Sequence, residues 1–146
     1  MYAQFFGSFL LSKDSVTPEQ LTAAISQASE TRLKLGTLAL HKYYMTAEQV
    51  DEVCFLQTRE DKRFGEIAIE KGYLREEQVD ELLAVQSPDY LILGQTLIDM
   101  GVLSNSDLEL LISEYEIFNE IDDMSLENQS KTDRLIRNFF TFSGKE

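Results

Sequence analysis

Hydrophobic and polar positions along this chain recur at a fixed step. Gly7, Gly36, Gly65 and Gly94 are evenly spaced, and Gly72 and Gly101 repeat the same interval. Apolar positions keep the same register: Leu10, Ala39, Ala68 and Leu97; Val16, Met45, Leu74 and Leu103; Leu21, Val50, Val79 and Leu108; Ile25, Cys54, Leu83 and Ile112. A last column, Ala28, Gln57, Gln86 and Tyr115, does not keep its character. An interval of this size marks units that cannot bury an apolar face alone and must pack on one another. The units run 5–28, 34–57, 63–86 and 92–115.

Each unit reads as two helices. The first is short, Gly36 to Lys42 or Gly65 to Lys71, and ends at a residue suited to the left-handed conformation. Gly72 and Gly101 adopt that conformation freely, Asp14 tolerates it, and Tyr43 tolerates it less well. The second helix starts on a capping box, Thr17-Pro-Glu-Gln20 with Pro18 at the first helical position, and again Thr46-Ala-Glu-Gln49. Ser104 to Asp107 is a weaker version. Arg75 replaces the cap in unit three, where Glu76 and Glu77 favour the helix N-terminus through its dipole. Apolar residues follow at helical spacing (Val50, Val53, Cys54; Val79, Leu82, Leu83; Leu108, Leu111, Ile112), and no stretch alternates with a period of two. The expected fold is all-α: four tandem helix hairpins laid side by side around one interior, over 5–118. Residues 119–131 read as an acidic linker. Residues 132–146 contain an amphipathic helix, with Leu135 and Phe139 on one stripe and Ile136 and Phe140 beside it, that caps the array or opens a further domain.

With 146 residues, 43% of them hydrophobic, the chain is the size of one domain with a real core. No apolar run reaches the length of a transmembrane helix, and the apolar start lacks a basic leader, so it reads as the first unit. Cys54, the single cysteine, shares a column with Ile and Leu and is expected to be a buried thiol. These features suit a cytoplasmic protein. The formal charge of −13 argues against DNA, RNA and anionic membranes, because phosphate contacts need clustered Lys and Arg. Charge is uneven: residues 76–130 carry fourteen acids and no cation, whereas 32–75 carry eight of the thirteen cations. An anionic ligand is therefore expected near units two and three.

Unit three, Arg63-Phe-Gly-Glu-Ile-Ala-Ile-Glu-Lys-Gly-Tyr-Leu-Arg-Glu-Glu-Gln-Val-Asp-Glu-Leu-Leu-Ala-Val-Gln86, resembles the repeat of the N-terminal domain of type II secretion and type IV pilus assembly ATPases. Arg63, Phe64, Gly65, Ala68, Gly72, Val79, Leu83 and Gln86 occupy its motif positions. Some members bind cyclic di-GMP through paired motifs. The resemblance implies polar contacts from Arg63 and Gln86 with Gly65 in unit three, and from Lys34 and Gln57 with Gly36 in unit two. Lys34 replaces an arginine and lacks its planar fork. Ile92 and Tyr115 in unit four, and Phe5 and Ala28 in unit one, depart from the ligand set, as does Tyr43 where the motif has glycine. The four-unit form is also similar to regions of proteins related to chemotaxis phosphatases.

No GxxxxGK[ST] phosphate loop is present, so the ATPase part of that family is missing. The sole histidine, His41, shares an expected exposed column with Ser12, Glu70 and Asp99, and a lone histidine there reads as a surface residue rather than a general base. No Cys/His metal cluster and no catalytic group stand out. The reading is a non-catalytic interaction or regulatory module with a protein partner, in secretion or chemotaxis-type signalling, without a cofactor. The alternative is a cyclic di-GMP receptor using units two and three.

Overall fold

In a computed structural model, residues 2–127 are described, with side chains over 6–118. Helices α1 (Tyr2–Ser12), α2 (Pro18–Gln27), α3 (Leu35–His41), α4 (Ala47–Glu60), α5 (Phe64–Glu70), α6 (Glu76–Ala84), α7 (Tyr90–Asp99) and α8 (Asn105–Glu127) follow in order, with a 3-10 turn at Ala28–Glu30. Among the described residues there is no strand, so the all-α expectation holds.

The caps act as their side-chain chemistry predicts. Thr17 and Gln20 exchange hydrogen bonds at 3.0 and 3.1 Å, and Thr46 and Gln49 at 3.0 and 3.2 Å. Ser104 and Asp107 form the same reciprocal pair at 3.0 Å, so this start is as complete as the other two. At Arg75, Gln78 supplies half a box by accepting the Arg75 N–H at 2.8 Å. The turn after each short helix bends through a positive φ: Asp14 at 58°, Tyr43 at 62°, Gly72 and Gly101 at 79°. Tyr43 adopts it despite its Cβ because the surrounding helix pair over-determines the turn.

Two compact bodies divide the chain, Met1–Ile112 and Ser113–Glu146, so the boundary falls inside α8 and earlier than residue 118. In the second body Tyr115 is buried and stacks on Phe118, with centroids 6.3 Å apart. Residues 119–127, expected as linker, are helical. Their acids are compatible with a helix, and no Gly or Pro interrupts them. The expected helix at 132–142 lies outside the described residues.

In the first body the spatial order differs from side-by-side hairpins. The main partner of both α1 and α2 is α7, while α3 packs on α4, α5 and α6, and α4 packs on α5. Helix α7 has the reason in its sequence. Tyr90-Leu-Ile-Leu-Gly-Gln-Thr-Leu-Ile carries no charge before Asp99, and a helix apolar on all sides belongs in the interior. The ring of Phe6 lies tilted on Tyr90 at 4.9 Å, and both are buried.

The middle hairpins join by an exchange. Tyr44 on the α3–α4 side donates to Glu81 on α6 at 2.7 Å, and Tyr73 on the α5–α6 side donates to Glu52 on α4. Tyr44 and Tyr73 hold the same position in successive units, as do Glu52 and Glu81, so the contact is reciprocal. Leu35 packs toward Gly65, and Phe64 toward Gly36, in the same crossed manner.

Candidate functional site

Gly36 decides where a cleft opens. A methyl group there would lie 2.8 Å from Val50 Cγ1 and 3.3 Å from the Phe64 ring. The glycine therefore lets a side chain of α4 approach α3. The same relation recurs at the equivalent positions of the other units: Gly7 faces Leu21, Gly65 faces Val79 and Gly94 faces Leu108.

Beside Gly36 is a cleft of about 400 Å³. Its apolar floor includes Leu35, Val50, Phe64 and Ile98, and its polar groups include Lys34, Thr37, Cys54, Gln57, Gln95 and Asn105. The wall facing α3 comes from α7 and the start of α8. Gln95, buried, organises it. Its Oε1 accepts from the Lys34 backbone N–H at 3.1 Å and from Thr37 Oγ1 at 2.6 Å, and its Nε2 donates to Asp99 Oδ1 at 3.0 Å. The same Asp99 oxygen takes Lys34 Nζ at 3.3 Å. With the lysine side chain 68% exposed, this ion pair adds little stability, but it occupies the cation. Thr96, also buried, reaches the Ile92 carbonyl and the Thr31 hydroxyl, each at 2.7 Å.

Of the six residues expected to bind a ligand, the structure brings three together: Lys34, Gly36 and Gln57 line the cleft. Gln57 also donates to the Lys62 carbonyl at 3.4 Å, which holds its amide toward the chain entering α5. Arg63, Gly65 and Gln86 do not line it. Arg63 precedes α5, where its N–H donates to Glu66 at 3.1 Å. Gly65 faces Leu35 and Val79. Gln86 lies exposed past α6, beside a shallow notch with Leu38, His41 and Val85. The cause is the packing order: Gln95 of α7 and Phe64 of α5 both meet the start of α3, whereas Arg63 and Gln86 flank α5 and α6 away from the cleft.

Cys54 is on the cleft wall and exposed, not buried as its column implied. Ile25 and Leu83 of that column are exposed too, at 54% and 68%, and Ile112 alone is buried. Helices α2, α4 and α6 bury a narrower stripe than their apolar pattern allows. Desolvation, aided by Asp51 and opposed by Lys34, pushes the Cys54 thiol up, away from a reactive thiolate. His41 is half-buried, its ring edge-on to Tyr90 at 6.2 Å, rather than exposed. Among the described residues no group of three or more His, Cys, Asp and Glu could hold a metal ion, and no helix is long and apolar enough to cross a membrane.

Sequence reasoning missed Thr37, Gln95 and Asn105. Gln95 had a signal, a long amide inside an otherwise apolar helix, since a buried amide must find partners. Asn105 had none: its amide donates to Asp51 at 2.8 Å, a residue 54 positions away. The arrangement can hold a flat molecule against Phe64 and hydrogen-bond its edge, but it aligns no nucleophile with a base. In comparisons with protein-family models, curated proteins and solved structures, no match to this chain was found.

Proposed function

We propose that this chain is a non-catalytic regulatory module, built from four tandem helical hairpins of equal length, that works by docking a protein partner. The observation that carries this reading is the outward position of apolar side chains on the second helices: Ile25 on α2, Phe55 on α4 and Leu83 on α6 are each more than half exposed. Side chains of this kind, rimmed by charge, are the usual composition of an interaction surface. The resemblance to the N-terminal domains of secretion and pilus ATPases agrees with such a role in secretion or chemotaxis-type signalling, in the cytoplasm. A photo-cross-linking amino acid placed at Ile25, Phe55 and Leu83 in the producing cells tests it. One discrete protein adduct at any of the three supports the module, and adducts at none of them refute it.

The cleft supports a second reading, a receptor for cyclic di-GMP. Lys34, Gly36 and Gln57 come together there beside the Phe64 ring. Against it stand the pairing of Lys34 with Asp99 and the absence of Arg63 and Gln86 from the residues that line the cleft. Calorimetric titration decides. Saturable binding lost in Lys34→Ala and Gln57→Ala supports the receptor, and an absence of heat at high micromolar ligand removes it.

A further inference from the structure

The cleft beside Gly36 joins an apolar floor to an excess of negative charge at its rim. Lys34 is the one charged side chain among the lining residues, and Asp99 Oδ1 holds its ammonium at 3.3 Å. On the α4 wall, Asp51 stands one turn before Cys54, and Asn105 of the lining donates to its Oδ1 at 2.8 Å. Lys62, behind Gln57, is taken up by Glu70 at 2.9 Å. Two carboxylates thus border a cleft that holds a single ammonium. The Cys54 thiol registers the sign of this field. Burial raises it first, Asp51 raises it next, and Lys34 opposes with the smallest effect. Acceptors also stand open. Among the described residues, neither Asp51 Oδ2, Asp99 Oδ2 nor Gln57 Oε1 takes a hydrogen bond.

We propose that this cleft binds a small organic amine as a monocation, with its apolar rings over Leu35, Val50, Phe64 and Ile98 and its ammonium on Asp51. A cleft of about 400 Å³ is the size of a small-molecule site, larger than one partner side chain requires. The ammonium gains a charge-assisted hydrogen bond to an oxygen that has no internal competitor. An anion of the same shape meets Asp51 and Asp99 and finds Lys34 already paired. The site goes beyond docking through Ile25, Phe55 and Leu83 and does not depend on it. Its charge preference is opposite to that of a cyclic di-GMP receptor.

Tryptamine is the probe, because the chain has no tryptophan and indole emission comes from the ligand alone. Its fluorescence anisotropy is followed as the full chain is added. Two partners complete the set: indole-3-propionate, the same ring and arm ending in a carboxylate, and 3-ethylindole, the same ring without a charge. Saturable tryptamine binding is expected, roughly ten-fold tighter than that of 3-ethylindole, the size of one charge-assisted hydrogen bond, with indole-3-propionate weaker still. Asp51→Asn is expected to bring tryptamine to the level of 3-ethylindole. Cys54→Phe fills the cleft and abolishes binding, whereas Lys34→Ala strengthens tryptamine by removing the one cation of the lining. Asp80→Asn, at the matching position one unit further on, leaves affinity unchanged. Circular dichroism and the urea midpoint establish that each variant folds. The proposal is overturned by an absence of saturable binding at millimolar tryptamine, by equal affinity for the three indoles, or by binding indifferent to Asp51→Asn and Cys54→Phe. Displacement of tryptamine by micromolar cyclic di-GMP overturns it too, in favour of the receptor. Cellular cross-linking without adducts refutes the docking module and leaves this site standing.

Discussion

At the scale of single residues, Gln95 does the most for the least surface. It is 2% exposed, and each of its polar atoms has a partner. Replacing it by leucine keeps the volume but leaves the part-buried Lys34 N–H and the buried Thr37 hydroxyl without their acceptor. Each buried orphan costs about 1–3 kcal/mol, so Gln95→Leu is expected to lower unfolding free energy by about 3 kcal/mol. Urea denaturation with an unchanged m-value checks this, and a loss within about 0.5 kcal/mol refutes the network's role. The caps were readable residue by residue, because Thr17, Thr46 and Ser104 act on backbone groups only three positions away. Gln95 was not readable as a wall of the cleft, because its partners lie 58 and 61 residues distant in the chain.

At the scale of elements, the two middle helix pairs look alike in sequence but differ in how tightly they close. A methyl group on Gly36 would meet the branched Val50 side chain at 2.8 Å, whereas one on Gly65 would meet Leu35 at 3.4 Å and Val79 at 3.6 Å. Val50 has essentially one rotamer in a helix and cannot turn away. Gly36→Ala is therefore expected to cost about 1–3 kcal/mol by overpacking. Gly65→Ala fits at ordinary contact and gains helix propensity, roughly 0.5 kcal/mol at this early helical position. Thermal unfolding of the two variants separates them, and equal shifts in melting temperature would refute the packing difference. Helix existence was legible at this scale from periodicity, glycine and caps. The exposed column at Ile25, Cys54 and Leu83 was not, since a period of 3.6 marks which residues share a stripe but not how wide a stripe its neighbours cover.

At the scale of the molecule, the exchanged Tyr–Glu pairs tie α3–α4 to α5–α6 and give stability a pH dependence with a definite sign. The Tyr73 hydroxyl first, and the Lys71 ammonium next, hold the Glu52 carboxyl below its ordinary value. A carboxylate depressed in the folded state stabilises above its unfolded pKa, and that contribution disappears as pH falls through the folded value. Donation to Glu81 and to Glu52 raises the Tyr44 and Tyr73 hydroxyls, and Glu52 raises Lys71. Those groups stabilise below their unfolded values and lose the effect as pH climbs through the folded ones, above about pH 10. Tyr73→Phe is expected to move the Glu52 pKa back toward the ordinary carboxylate range and to flatten the acid limb of stability. A side-chain NMR titration of Glu52 shows this directly, and an unmoved pKa would refute the coupling. What the amino-acid order determined alone was local: helices, their caps, their left-handed ends and the register of the core, all set by interactions within a few residues. Only the tertiary structure decided which helix covers which. Burial of a largely apolar α7 is a competition among all apolar faces at once, and its outcome placed Gln95 against the start of α3 and Asn105 against Asp51 of α4, gathered Lys34 and Gln57 but not Arg63 and Gln86 around the cleft, and left Leu83 facing water.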